Sequence, residues 1–499
     1  MKAAKFILPA LFLSSFVQAQ ISNKKYIAGV LDSINKPDYT QYVNPMIGTG
    51  GHGHTFPGAT LPFGMVQVSP DTRIDGSWDG CSGYHYNDKT IYGFSHTHLS
   101  GTGCSDYGDI MLMPMMGAAN SSRKVYSSKF SHINEKASPG YYSVLLDDDN
   151  TQVELTATKR VGFHKYSFDK NGVASVILDH THRDELIEST IKIISTTRVE
   201  GMRRSKAWAQ NQVVYYVIDF SESFTKWQVQ DVDGKKEAIG AFTFRVNDFK
   251  PLYVKVAISF TSIEGARLNM MQELQGWDFE KTKTAAREAW NDELNKIEVS
   301  NEDSEKPKTF YSALYHCMIH PNIASDVTGE YLGRDLKVHK AEGFDYYTVF
   351  SLWDTYRALH PLFTIIDKKR TLDFIKTFLA QYKEGGRLPV WELASNETDC
   401  MIGYHSVSVI ADAYIKGIRD FDAELALEAM QKSADWNHLG LPAFNKRGFV
   451  EIEDDNESVS KTLEYAYDDW CIARMADVMD KPEVFKLINS IKLSGFIPI

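Results

Sequence analysis

Apolar and polar residues alternate through most of the stretch from residue 40 to about residue 265. The run GYYSVLLDDDNTQVELTATKRVGFHKYSF shows the habit, broken once at DDDN, and ASVILDHTH, QVVYYVIDFS, KEAIGAFTFRV and LYVKVAISFTS repeat it. Successive side chains of a strand point to opposite faces, so a period of two marks strands with one buried face. Many short strands punctuated by Gly, Asn and Asp predict a β-sandwich. Near Glu264 the period lengthens. In EKTKTAAREAWNDELNKIEV, Ala285, Ala289, Trp290 and Leu294 fall on one helical stripe with charges opposite. The same spacing continues from EKPKTFYSALYHCMIHPNI to PEVFKLINSI, for about eight helices joined by short loops. Paired helices with aromatic inner faces predict an α/α toroid, whose pocket residues belong at the loop ends of the inner helices.

The N-terminal MKAAKFILPALFLSSFVQAQ has a different pattern. Lys2 and Lys5 precede an apolar run from Phe6 to Leu13, and Val17-Gln18-Ala19 offers small residues for cleavage. This is the arrangement of a secretory signal. No later segment has the length of a membrane span, so export to the periplasm or beyond is expected. The 499 residues are 43% hydrophobic and 24% charged, a globular composition with room for at least two domains. A net charge of −11 and the absence of a basic stripe argue against a nucleic-acid partner. The five cysteines, Cys81, Cys104, Cys317, Cys400 and Cys471, cannot all pair internally, and their wide spacing excludes a metal knuckle. A Cys81–Cys104 bridge suits an oxidising compartment; small buried hydrophobes are the alternative.

Three stretches combine carboxylates with aromatic rings. FSLWDTYRALHPLF holds Trp353, Asp354, Tyr356 and Arg357; LPVWELASNETDCMIGYHS holds Trp391, Glu392, Asn396, Asp399 and His405; YAYDDWC holds Tyr465, Tyr467, Asp468, Asp469 and Trp470. Sugars suit such surroundings, because their C–H faces pack on rings and their hydroxyls hydrogen-bond carboxylates and guanidinium groups. The same residues also suit a packed core. Asp354 and Arg357 are three apart and can satisfy each other, and adjacent Asp468 and Asp469 cannot both face one pocket. Spacing leaves both possibilities open. Asp354 and Glu392 are the best acid/base pair that residue types alone offer. Earlier, GTGGHGHTFPGATLPFGMVQVSPDTR is too rich in Gly and Pro for a strand and lacks the Gly-Lys-Ser/Thr of a phosphate loop. It leads into WDGCSGYHYNDKTIYGFSHTHLSGTGCSDYGDI, where His96 and His98 could meet a metal and Ser100 invites a Ser–His pair, each without further partners in the sequence. A long Gly/His/aromatic loop on a β-domain suits a lid over a neighbouring pocket.

These strings, together with YVNPMIGTGG at their head and TLEYAYDDWCIA near the end, resemble glycoside hydrolase family 92, in the same order from about Tyr42 to about Val478. The family consists of exported bacterial α-mannosidases, several preferring α-1,2 links. The resemblance implies an α+β multidomain fold: a β-sandwich over residues 20–265 after a signal at 1–19, a linker helix at 266–300, and an (α/α)6 catalytic domain from 301. It implies an inverting, calcium-dependent reaction on α-mannosides or mannose-rich glycans. Carried over by position, Trp353 and Asp354 belong to the subsite for the cleaved mannose, Trp391, Glu392 and Asn396 line it, and Trp78, His96 and His98 reach in from the sandwich. The family's general acid Glu, general base Asp and calcium ligands lie in strings that do not occur before Ile499. About eight helices stand where the toroid needs twelve. The expectation is therefore a C-terminally truncated member with a partial barrel, which keeps the sugar grip and lacks the proton-handling residues and metal ligands. A second polypeptide completing the barrel, a non-catalytic glycan-binding protein, a non-functional fragment, and an inverting α-glucosidase of the same toroid type are the alternatives.

Overall fold

The computed structural model describes residues 36–118, 123–247, 250–300, 302–303 and 305–486. The signal-like segment and the final SGFIPI lie outside them. Two antiparallel sheets form the N-terminal domain. One runs β1 (Ala59–Thr60), β2 (Gln67–Asp71), β4 (Gly93–Ser95), β5 (Met111–Met116), β10 (Gly172–Asp179), β15 (Lys235–Val246), β14 (Lys226–Val232). The other runs β11 (Glu185–Ser195), β12 (Arg198–Lys206), β13 (Gln212–Phe220), β16 (Leu252–Ser259), β9 (Val161–Ser167), β8 (Thr151–Ala157), β7 (Tyr141–Leu146), β6 (Ser128–Ser138), β3 (Thr90–Ile91). One turn of helix, α1 (Arg123–Tyr126), precedes β6. The predicted alternation is visible in β13. Val214, Tyr216, Ile218 and Phe220 enter the core between the sheets. Val217 points the other way, against Phe163, Ala257 and the helix that follows the sandwich.

That helix is α2 (Ile263–Glu273), and a second, α3 (Phe279–Leu294), follows it, where the sequence suggested one. Each begins at a side-chain cap: the Ser262 hydroxyl accepts Gly265 N–H and the Asp278 carboxylate accepts Lys281 N–H. The buried stripe of α3 is Phe279, Thr282, Ala286, Trp290 and Leu294: Trp290 and Leu294 are as expected, Ala286 takes the place of Ala285, which is exposed, and Ala289 is half-buried. The Trp290 indole N–H donates to Thr60 O at 2.6 Å, and this anchor fixes which face turns inward.

The remaining helices are α4 (Glu305–His316), α5 (Leu352–Thr355), α6 (Leu359–Ile366), α7 (Lys368–Gly385), α8 (Ser406–Ile415), α9 (Ala423–Ala434), α10 (Leu441–Arg447) and α11 (Ser458–Val478). Helix α8 packs on α6 and α11, while α7 and α9 pack on each other and back onto these three. The helices share one core that includes Phe374, Phe378, Ile410, Met430 and Ile472. The helical domain is joined firmly to the sandwich. Phe63 N–H donates to Met318 O at 2.7 Å, Ile323 N–H donates to Phe63 O at 2.9 Å, and Arg160 Nε donates to Ser325 O at 2.7 Å.

Candidate active site at the domain seam

Phe350–Ser351, Trp391–Leu393 and Asn396–Glu397 form a small antiparallel sheet, with Phe350 opposite Glu392 and Ser351 opposite Trp391. Helix α5 leaves this sheet at once, and so places Trp353 and Asp354 on its rim. Asp354 is exposed and accepts a hydrogen bond from the Ser351 hydroxyl. Trp353 is half-buried, with the Arg357 guanidinium 4.8 Å from its ring centroid. The Arg357 of the expected i,i+3 pair does not turn to Asp354. It reaches Glu464 Oε1 at 3.4 Å, which leaves the Asp354 carboxylate free to accept further donors.

Beside this turn, Tyr356 stacks on His405 with centroids 4.0 Å apart and planes at 18°. His405 Nδ1 lies 2.8 Å from Asp468 Oδ1 and its Nε2 lies 3.3 Å from Glu464 Oε2, which also accepts the Tyr356 hydroxyl at 3.2 Å. Burial, then the Glu464 charge, pushes the Tyr356 phenol up to about 12. Asp468 also accepts Tyr404 N–H, and Asp469 accepts the Tyr404 hydroxyl at 2.8 Å. Both aspartates are fully buried and dock α11 onto the start of α8, the core reading of YAYDDWC. Trp470 next to them is 48% exposed. With Tyr356, Arg357, Asp412, Tyr467 and Arg474 it borders a cavity of about 540 Å³. Sequence reasoning misses Glu464, although its place four residues before Asp468 on one helix was the available signal.

The sandwich meets the helical domain at residues apart from this cavity. Trp78 is 56% exposed, with His54 edge-on at 4.3 Å and His52 tilted at 5.1 Å. The segment Leu99–Tyr107 joins it to the helical side. A side chain at Gly103 would collide with the Trp78 indole nitrogen at 2.7 Å. Leu99, Cys104 and Tyr107 pack with Val349, Trp391, Leu393 and Ala394. Trp78 and the Asp354 turn therefore border the two sides of one seam.

Five of the expected site residues serve this seam or the core behind it instead of lining a pocket. Trp391 is 1% exposed and packs edge-on to Trp208, at 5.9 Å, from the sandwich. Glu392 is fully buried. The Thr348 hydroxyl hydrogen-bonds both its oxygens, at 2.9 and 3.0 Å, and Ser395 N–H donates to it at 2.7 Å. Burial pushes its carboxyl up to about 8, so it holds a proton at neutral pH. Its work is local. Ala394 and Ser395 both adopt positive φ (47° and 67°), a two-residue hairpin turn that favours Gly or Asn, and Glu392 ties this strained turn together. Asn396 exchanges hydrogen bonds with the backbone of Asn211 (3.1 and 3.2 Å) and donates to Ala394 O. His96 lies inside the sandwich, its Nδ1 2.6 Å from Ile110 O and its Nε2 2.8 Å from His164 Nε2. Burial lowers it to about 3, so it stays neutral and takes no part at the seam. His98 is buried against Gln67 O at 2.7 Å and Asp71 Oδ1 at 3.3 Å. Only its carbonyl faces the helical domain, where His320 Nε2 lies 3.1 Å away.

The resemblance implies a calcium site. Among the described residues no three His, Cys, Asp or Glu side chains converge as a metal-holding group. Asp399, beside the seam, is already paired with Arg387. The described residues do not fit the ion.

Two family models match in tandem: the N-terminal domain of glycosyl hydrolase family 92 over residues 42–259 and its catalytic domain over residues 265–490. The chain belongs to glycosyl hydrolase family 92. Among solved members, an α-mannosidase of Bacteroides thetaiotaomicron in complex with mannoimidazole shares 38% identity and superposes with a TM-score of 0.86, over 92% of this chain and 64% of its own. A family 92 inverting mannosidase of the same organism, strain VPI-5482, shares 32% identity with a TM-score of 0.83, over 91% and 64%. An uncharacterized secreted glycosidase of Arthroderma benhamiae is 27% identical over 89% of this chain and 60% of its own length. The chain thus spans under two thirds of the relatives it matches. The sandwich-then-helices order expected from the alternation and its change of period is that of the family.

Proposed function

We propose that this family 92 chain grips a terminal α-linked mannose at the seam between its domains, as part of a glycoside hydrolase that removes it. The observation that carries this reading is the likeness, over nine tenths of the chain, to an α-mannosidase solved with mannoimidazole. It is supported by an exposed carboxylate, Asp354, with acceptor capacity to spare next to Trp353, and by the exposed ring of Trp78 on the sandwich. Sugar hydroxyls would donate to Asp354 and the sugar's C–H face would pack on an indole. Inversion, the stereochemical course of the second Bacteroides relative, needs an acid and a base roughly 6.5–9.5 Å apart on opposite sides of the bond. Asp354 and Glu392 are not that pair, because Glu392 is sealed from any substrate. An α-1,2 preference and export to the periplasm or medium belong to the same proposal, as does a calcium requirement of the whole hydrolase, whose ligands the described residues do not supply.

The test is to incubate the full chain with α-1,2-mannobiose, with and without calcium, and to follow mannose release and its first-formed anomer by NMR. Calorimetry with mannoimidazole runs in parallel. Release of β-mannose supports the enzyme reading. Binding without release makes the chain a mannoside-binding protein that keeps only the grip. Neither binding nor release overturns the proposal.

A further inference from the structure

We propose that Cys81 and Cys104 form a cross-linking pair, oxidised to a disulfide when the chain folds in an oxidising compartment, that ties the Trp78 turn to the segment crossing the domain seam. The two residues lie on different loops, and two independent contacts bring those loops together. First, one nitrogen of Arg183, Nη2, donates to the carbonyl of Cys81 and, at 3.4 Å, to the carbonyl of Ser105, the residue after Cys104. Two acceptors on one donor atom lie at most about 7 Å apart. Second, Trp78 touches both loops. Its carbonyl accepts Cys81 N–H at 3.2 Å and the Cys81 thiol at 2.6 Å, while Gly103 lies so close to its indole nitrogen that a Cβ would fall within 2.7 Å. These contacts make the two cysteine loops neighbours, and a disulfide between them needs Cα atoms about 4.4–6.8 Å apart.

Both thiols are free in the structure and nearly inaccessible, at 3% and 4% exposure. Burial raises both, and at Cys104 the neighbouring Asp106 and Cys81 add to the effect. The thiolate is the reacting form, so the fully folded, reduced chain exchanges slowly and the cross-link forms during folding, as the loops come together and before the thiols are sealed from solvent. The oxidant is a small or protein disulfide, for which oxidised glutathione serves as the probe. One cysteine thiolate attacks it and releases a first glutathione thiolate. The second cysteine thiolate attacks the mixed disulfide and releases another. Two cysteines are oxidised, one glutathione disulfide is reduced to two thiols, and the two cysteine protons pass to solvent or to the departing thiolates. The competing partner is Cys400, which packs on the cluster that holds Cys104 from across the seam. The Arg183 clasp favours Cys81 over it.

The full chain, denatured and reduced, is refolded in a mixed glutathione buffer. Free thiols are alkylated, then counted after unfolding, and unreduced peptides are mapped by mass spectrometry. The expected result is three free thiols per chain, the five of the sequence less two, and one linked peptide joining Cys81 to Cys104. Reduction should lower the melting temperature by several degrees. Cys400→Ser should leave the cross-link in place, and Cys104→Ser should leave four free thiols. Five free thiols in the refolded wild-type chain, or a linked peptide joining Cys104 to Cys400, overturns the proposal without recourse to any variant.

Discussion

The interior of the sandwich and the rim of the seam hold the same residue types in opposite conditions. Inside the sandwich, Arg203 is fully buried and donates to Asp109 Oδ1 at 2.6 Å, His180 O at 2.9 Å and Ser205 Oγ at 2.8 Å, besides Asp184. His96 and His164 likewise close on each other. Water has no access, so each polar group must find its partner within the protein. At the rim, Asp354 is exposed, makes one hydrogen bond to Ser351, and leaves Arg357 to Glu464. A polar residue that has spent its hydrogen-bonding capacity inward supports the fold. One that keeps capacity and faces a seam lined with exposed rings can bind. Four substitutions test this division, and they should fall in a fixed order of stability loss.

The greatest loss is expected at Arg203. Arg203→Met leaves Asp109 and Asp184 buried without their counter-charge, and breaking such a pair costs about 3–5 kcal/mol. Thermal or urea unfolding should show a large drop, or no folded chain. Adding Asp109→Asn and Asp184→Asn should restore part of it, since the uncompensated charge is then gone. A single variant as stable as the wild type would show that the interior network does not hold the sandwich.

Glu392 comes next. Glu392→Ala strands the Thr348 hydroxyl and Ser395 N–H in a dry environment and should cost about 1–3 kcal/mol. Glu392→Gln keeps both contacts and should cost little at neutral pH, because the native carboxyl, pushed by burial to about 8, is already protonated there. The pH dependence has a definite sign. Above its ordinary value of 4.5 the group ionises in the unfolded chain, but the folded chain keeps the proton until about pH 8. The folded state therefore binds more protons between those limits, and stability falls as pH rises through them. The slope of wild-type stability minus that of Glu392→Gln, measured by denaturant titration from pH 5 to 8, isolates this group. An identical slope would place Glu392 in water and make it a pocket residue after all. Asn396→Ala should follow, at about 1 kcal/mol for bonds shared between the hairpin and Asn211, visible in the same titration.

How much of this was legible in the sequence follows from what each signal measures. Periodicity reports which positions are buried relative to their neighbours. That is why the alternation in β13 and the helical spacing of α3 foretold strands and helices, and why Trp290 and Leu294 fell on the buried face of α3 as expected while Ala286 replaces Ala285 there. Composition left Trp353-Asp354 open between pocket and core, and Trp78 was carried over from the resemblance alone; in the structure Asp354 and Trp78 are exposed and Trp353 is half-buried. Composition failed at Trp391-Glu392. Adjacent strand residues face opposite ways, but this small sheet is covered on both faces, by Trp208 on one side and by Thr348 on the other, so both residues are core. The histidines failed for a related reason. The loop that follows β4 turns both rings inward, His96 onto His164 and His98 onto Gln67 and Asp71, so each is spent inside the sandwich.

The smallest effect on stability, and the largest on binding, is expected at Asp354. The side chain is exposed and makes one short-range hydrogen bond, so Asp354→Asn should change the unfolding free energy by about 0.5 kcal/mol or less. The amide keeps the size and shape of the carboxylate and loses its charge and half its acceptor capacity. Hydrogen bonds to a charged group are worth about 1.5–3 kcal/mol, so mannoimidazole affinity should fall by about 10- to 100-fold. Glu392→Gln, equally conservative and a few residues from the same seam, should leave affinity within about 2-fold, because no substrate reaches it. The two variants thus separate the residue types that the sequence could not. Affinity lost at Glu392 and kept at Asp354, at unchanged melting temperature, would invert the assignment: the sealed carboxyl would open to ligand, and the exposed one would be a surface charge with no role in binding.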